Sequence, residues 1–68
     1  MNDKASIAAD TLELLLMNQT AIRAALEEIS LWVNNRGSTV VHENVRAALA
    51  TLDLHEREIA LGIECLRS

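Results

Sequence analysis

The chain has 68 residues, half of them hydrophobic, and a net charge of −4 from six basic and ten acidic side chains. That length allows a single domain spanning residues 1–68, and so much apolar content excludes a natively disordered chain. An acidic surface repels phosphate backbones and no basic stripe offsets it, so nucleic-acid binding is disfavoured.

The choice of hydrophobic residues predicts an all-α fold. They are Leu, Ala, Ile and Val for the most part, with Trp32 as the one aromatic residue, and the chain has no proline and only two glycines. Alanine and leucine lose little free energy on entering a helix. A sandwich or barrel of strands needs many more turn residues than this chain contains.

The first helix is predicted over about residues 5–35. Asp3 or Ser6 is expected to cap its exposed amide groups, and the few residues before it are expected to be disordered. The helical pattern runs to Val33 and ends at the polar segment 34–38, where Gly37 is the natural left-handed residue after a helix.

The second helix is predicted over about residues 39–66, with Ser38 or Thr39 as its cap. A short connection between two apolar helices makes them antiparallel neighbours. The sequence therefore predicts an antiparallel two-helix hairpin with its turn at Gly37.

Apolar residues recur in steps of four and three, which indicates a narrow stripe along each helix. The predicted stripe of the first helix is Ala8, Leu12, Leu15, Gln19, Ile22, Leu26, Ile29 and Val33. That of the second is Val41, Val45, Ala48, Leu52, His55, Ile59, Gly62 and Leu66. Folding at Gly37 places Gln19 opposite His55 as one polar layer. A second register, through Leu49, Leu52, Glu56, Ile59 and Ile63, stays open and would place Glu56 in the layer.

One hairpin leaves further apolar side chains uncovered, and exposing six or more of them would cost on the order of 10 kcal/mol. The simplest way to cover these side chains is a second copy of the chain, which gives a homodimeric four-helix bundle. The predicted dimer or partner interface is Leu14, Ala21, Ala25, Trp32, Val40, Ala47, Leu54 and Leu61. Trp32 is interpreted as core or dimer packing near the turn, or as an anchor for a different protein, because tryptophan is enriched at interface hot spots.

No residue pattern predicts catalysis, a cofactor or a metal ion. A bundle metal site needs a glutamate three residues before a histidine, but Leu52 holds that position before His55. His42 and His55 point to nearly opposite sides of one helix, and no serine has an evident oriented base. Charged residues at four-residue spacing, Arg23 with Glu27 and Asp53 with Arg57, indicate solvated ion pairs.

The function expected from these features is that of a small cytoplasmic helical protein acting through protein–protein interaction, as an adapter, regulator or chaperone-like module, and not an enzyme. A single cysteine, Cys65, fits a reducing compartment, and the apolar run at residues 14–17 is too short to span a membrane. The alternative is a helical bundle that binds a small molecule in a core pocket near Gln19, His55 and Gly62.

Overall fold

The computed structural model describes residues 3–68 and consists of two antiparallel helices. Helix α1 covers Lys4–Asn35 and helix α2 covers Thr39–Arg67. Their Cα atoms fill a flat slab of 54 × 16 × 10 Å. The predicted all-α hairpin is confirmed, and its predicted helix limits differ from the observed ones by one residue at two of the four ends. Of the segment expected to be disordered, residues 1 and 2 lie outside the described residues.

Local hydrogen bonds explain where α1 begins and ends. The Asp3 side chain accepts a 2.7 Å hydrogen bond from the Ser6 amide, which caps the start of the helix. At the other end Gly37 has φ of +95°, a left-handed conformation that glycine adopts without a steric penalty. The amides of Gly37 and Ser38 then donate to the carbonyls of Asn34 and Val33, the Schellman pattern that satisfies the last carbonyls of a helix.

Helix α2 begins at Thr39 with Ser38 in the capping position. The Ser38 side chain makes no capping hydrogen bond, although its carbonyl accepts the first helical bond, from the His42 amide at 3.2 Å. Arg67 lies in the last turn, where a positive charge suits the negative end of the helix dipole. Among residues 3–68, neither helix offers a stretch that is both long and apolar enough to cross a lipid bilayer.

The seam between the helices is defined by the residues that the other helix shields. Most of these residues are buried or half-buried, whereas Leu12, Leu26 and Leu66 are 38–40% exposed. On α1 the seam is Ala5, Ala9, Leu12, Leu16, Gln19, Arg23, Leu26, Ser30 and Val33. On the other side it begins at Ser38, which caps α2, and continues on α2 with His42, Val45, Leu49, Leu52, Glu56, Ile59, Ile63 and Leu66. Both series advance by four and three residues, the spacing of antiparallel coiled helices.

At every second position, the observed seam residue lies one residue later in the chain than the predicted one. The second register for α2 is the observed one, since Leu49 and Ile63 are buried and Glu56 is half-buried. His55 is exposed, so the predicted polar layer of Gln19 and His55 is corrected: half-buried Gln19 shares the seam with Glu56. The physical reason is that Arg23, Ser30 and His42 enter the seam by bonding across it.

Candidate interaction surface

The flat hairpin has two broad faces, which the heptad positions define. Successive residues turn by about 100° around a helix, so the residue before and the residue after a seam position project to opposite sides. Because α1 and α2 run in opposite directions, the residues that precede Ala9, Leu16, Arg23 and Ser30 lie on the same side of the hairpin as the residues that precede His42, Leu49, Glu56 and Ile63 on α2. The residues that follow the alternate seam positions, among them Leu12, Leu26, Leu52 and Leu66, lie on the other side.

The second of these sides is charged, and we call it the ion-paired face. It carries Glu13, Glu27, Asp53 and Arg67, each of which directly follows a seam leucine. Arg67 bridges the helices to Glu13 at 2.6 Å and to Asp10 at 3.0 Å. The bridge from Arg67 to Glu13 confirms that the residues following these seam leucines lie on the same side of the hairpin.

The strongest polar contact of this face joins the middles of the helices. Arg23 Nε donates to Asp53 Oδ1 at 2.6 Å and Arg23 Nη2 to Asp53 Oδ2 at 3.0 Å, while Nη1 donates to Glu27 at 2.8 Å. A paired arrangement of this kind fixes the geometry of both side chains. The predicted pair of Arg23 with Glu27 is confirmed, whereas Asp53 bonds to Arg23 across the hairpin where Arg57 was predicted as its partner.

This contact makes stability depend on pH. Hydrogen bonds from Arg23 hold the pKa of Asp53 below its ordinary value. A lowered folded-state pKa stabilises the fold at pH values above the unfolded pKa, and this contribution is lost as the pH falls through the folded-state pKa. We expect Asp53→Asn to lower the urea midpoint at pH 6, and expect the difference from the native chain to shrink steadily below about pH 4.

Urea unfolding followed by circular dichroism at several pH values measures this difference. Glu58→Gln is the matched control, because it removes a carboxylate of α2 that takes part in none of the ion pairs found among residues 3–68. A midpoint difference for Asp53→Asn that stays constant between pH 6 and pH 2.5 would contradict the role assigned to the pair.

The opposite side, which we call the apolar face, has a different composition. Its α1 row is Ala8, Leu15, Ile22 and Ile29, and its α2 row is Val41, Ala48, His55 and Gly62. The large side chains of the α1 row are exposed to almost the same degree, Leu15 by 57%, Ile22 by 59% and Ile29 by 58%. Such an unbroken exposed apolar row on a broad face is typical of an interaction surface.

The two rows of the apolar face differ in size. Within about one helical turn, Leu15 lies at the height of Gly62, Ile22 at that of His55 and Ile29 at that of Ala48, as the bond between neighbouring Arg23 and Asp53 indicates. A Cβ atom placed on Gly62 would meet nothing within 4 Å. The face therefore has a ridge of large side chains on α1 and shallow troughs on α2 at Gly62 and Ala48, whereas His55 lies beside Ile22.

The interface residues predicted from the sequence occupy other positions, and all eight are exposed. Six of them lie on the outer edges of the helices, opposite the seam: Leu14, Ala21, Val40, Ala47, Leu54 and Leu61. The hairpin does not bring the α1 and α2 members of this set together. Ala25 and Trp32 border the apolar face on α1, where the Arg36 guanidinium lies 4.5 Å from the centre of the Trp32 ring. Their role as an interface stays a prediction.

A polar contact near the turn was missed by the sequence reasoning. Ser30 Oγ lies 2.7 Å from His42 Nδ1, and the same nitrogen lies 3.2 Å from the Ser30 carbonyl oxygen. Ser30 is 2% exposed, so its hydroxyl is shielded from solvent and the pair ties the helices together. No sequence pattern could have indicated it, because the contact depends on the register of the fold.

A groove of about 410 Å³ lies on the ion-paired face. Arg23, Ser30, His42, Arg46 and Asp53 are among its lining residues, whereas Gln19, His55 and Gly62 are not. Within residues 3–68, no cluster of three or more histidine, cysteine, aspartate or glutamate side chains is placed to hold a metal ion.

Comparisons with protein-family models, with curated proteins and with solved structures found no match to this chain.

Proposed function

We propose that this protein acts through protein–protein interaction, with the apolar face as its contact surface and a second copy of the chain as its first partner. The resulting assembly is a homodimeric four-helix bundle. The observation that carries the proposal is the imbalance of burial: fifteen large hydrophobic residues are 38–68% exposed, whereas the buried hydrophobic residues among the described ones are Ala9, Leu49 and Ile63.

A core of that size gives a hairpin little stability of its own. Burying one large apolar side chain contributes roughly 1.5–3 kcal/mol, and domains below 70–80 residues rarely gain more than about 3–5 kcal/mol from one core. Covering Leu15, Ile22 and Ile29 in two copies adds six such side chains to the core. Association therefore supplies the burial that the single hairpin lacks.

The size of the apolar face fits this partner. The Cα atoms span 54 × 16 Å, a footprint of about 860 Å², and a standard specific interface takes roughly 800 Å² of accessible surface from each protein. The ion pairs lie on the other side, so that association through the apolar face leaves the charges of Arg23, Asp53 and Arg67 in water. The proposal places the protein in the cytoplasm, where a lone exposed cysteine such as Cys65 stays reduced.

The small-molecule pocket predicted near Gln19, His55 and Gly62 remains an untested alternative. His55 and Gly62 lie on the apolar face, so these residues border an enclosed space only after a partner covers that face. A binding pocket is thus secondary to association in this protein.

Light scattering over a concentration series tests the proposal. We expect a solution mass of twice the 7.5 kDa chain at micromolar concentration, with helical circular dichroism retained. A folded monomer that persists at millimolar concentration would contradict the proposed self-association.

A further inference from the structure

We infer that the two copies associate with their Gly37 turns at the same end of the bundle, so that α1 of each copy lies on α2 of the other. This inference rests on the proposed function, because it specifies how the second copy is seated on the apolar face. It names the side chains that meet across the interface, and these follow from the ridge and the troughs described above.

Two twofold arrangements bring the apolar faces together with the helices of both copies aligned. If the axis runs along the helices, the turns coincide and each α1 covers the partner's α2. If the axis runs across the helices, the turns lie at opposite ends and each helix covers its own counterpart. A twofold interface is self-complementary, so the shape of one face decides between them.

Side-chain size favours the arrangement with coincident turns. Large residues pack well when they face small ones across an interface, because the layers then interdigitate. With the turns together, Leu15 faces Gly62 of the partner subunit and Ile29 faces Ala48 of the partner subunit. The trough at Gly62 is open within the hairpin, with nothing within 4 Å of an added Cβ, and thus accepts the ridge.

The opposite arrangement pairs like with like. The ridge of Leu15, Ile22 and Ile29 would then meet the same ridge, while Ala48 and Gly62 would face each other and leave the α2 rows underpacked. With coincident turns the large and small residues are paired instead, and each His55 faces Ile22 of the partner subunit.

Distances between spin labels distinguish the arrangements. The single cysteine, Cys65, is exposed and accepts a nitroxide without any substitution. A second label site is Ser38→Cys in a Cys65→Ser chain, since the Ser38 side chain makes no capping hydrogen bond. Pulsed dipolar spectroscopy of each labelled dimer gives the distance between copies, and dilution with unlabelled chain confirms that the signal is intermolecular.

With coincident turns, both label pairs are separated only by the width of a four-helix bundle, about 15–25 Å for interaxial spacings of 8–10 Å. With turns at opposite ends, a rise of 1.5 Å per residue separates the Cys65 labels by about 35 Å and the residue-38 labels by about 45 Å. Two short distances establish the proposed orientation. Two long ones overturn it while leaving self-association intact, and a monomeric mass overturns self-association itself.

A size swap provides an independent test. We expect Gly62→Leu to weaken the dimer at least 10-fold while the hairpin stays folded, because the new side chain has space within its own hairpin but fills the trough. Adding Leu15→Ala should restore the dissociation constant to within about threefold, since Leu15 faces position 62 of the partner subunit. Failure of the double variant to recover would overturn the assigned contact.

Discussion

Replacement of Ile22 by glutamate is expected to convert the proposed dimer into folded monomers. Ile22 lies in the middle of the apolar face and is 59% exposed in the single hairpin. Burial of an isoleucine contributes roughly 1.5–3 kcal/mol, and the dimer contains two, so the dissociation constant should rise at least about 100-fold. Sedimentation equilibrium measures this constant, and circular dichroism verifies that the helices persist.

Leu14→Glu is the matched control for this experiment. Leu14 is 62% exposed and is also a large apolar residue of α1, but it lies on the outer edge, which the sequence pattern alone assigns to the interface. We expect its substitution to change the dissociation constant less than about fivefold, equivalent to under 1 kcal/mol. If Leu14→Glu raised the dissociation constant more than Ile22→Glu, the interface would lie on the outer edge and not on the apolar face.

Truncation of Leu49 to alanine is expected to have the largest effect on folding. Leu49 is 5% exposed and is one of the large side chains that the seam shields most completely. Large-to-small changes at such sites cost about 2–5 kcal/mol, which approaches the whole stability expected for a domain of this size. Urea unfolding at a fixed protein concentration should show a midpoint near zero, with reduced helical signal even without denaturant.

Leu54→Ala removes the same atoms five residues further along α2, where the side chain is 64% exposed. This substitution should lower the free energy of unfolding by less than about 1 kcal/mol, as most substitutions of exposed residues do. Since association adds to the apparent stability, both variants have to be compared at the same concentration. Equal losses for the two variants would mean that burial in the seam does not dominate the stability of the hairpin.

Local signals were sufficient to predict the hairpin itself. A chain without proline, rich in leucine and alanine, has few alternatives to long helices, and Gly37 stands where a left-handed residue is needed. Asp3 was one of the two caps predicted, because an aspartate before a helical pattern bonds to amides only a few residues away. Each of these features depends on neighbours in the sequence.

The register of the helices did not follow from such local signals. The predicted register of α1 differs from the observed one, and that of α2 was one of two alternatives. On α1 the row containing Leu15, Ile22 and Ile29 is more apolar than the true seam positions beside it, which include Arg23 and Ser30. Polar seam residues are stabilised by partners 12 and 30 residues away, His42 for Ser30 and Asp53 for Arg23. Periodicity alone cannot reveal such partners, so the exposed apolar row was assigned to the core.

For the same reason, the sequence did not predict that Leu15, Ile22 and Ile29 form an exposed face. A shift of the seam by one residue moves the remaining apolar side chains around the helix, so six of the eight predicted interface residues lie on the outer edges, and their role as an interface stays a prediction. The ion pairs mark one broad face as charged, and the exposure of Leu15, Ile22 and Ile29 shows that the other face is apolar. Prediction of this exposed apolar face would thus have required the contacts between the two helices, which are distant in the sequence.

The single turn at Gly37 also determines how contacts accumulate during folding. The bond between Ser30 and His42 spans 12 residues, that between Arg23 and Asp53 spans 30, and that between Glu13 and Arg67 spans 54. The entropic cost of closing a loop rises by about 0.6 kcal/mol for each doubling of its length, and an existing contact shortens the loop that the next must close. The hairpin consequently closes most readily from the turn outward, and the two chain ends join last.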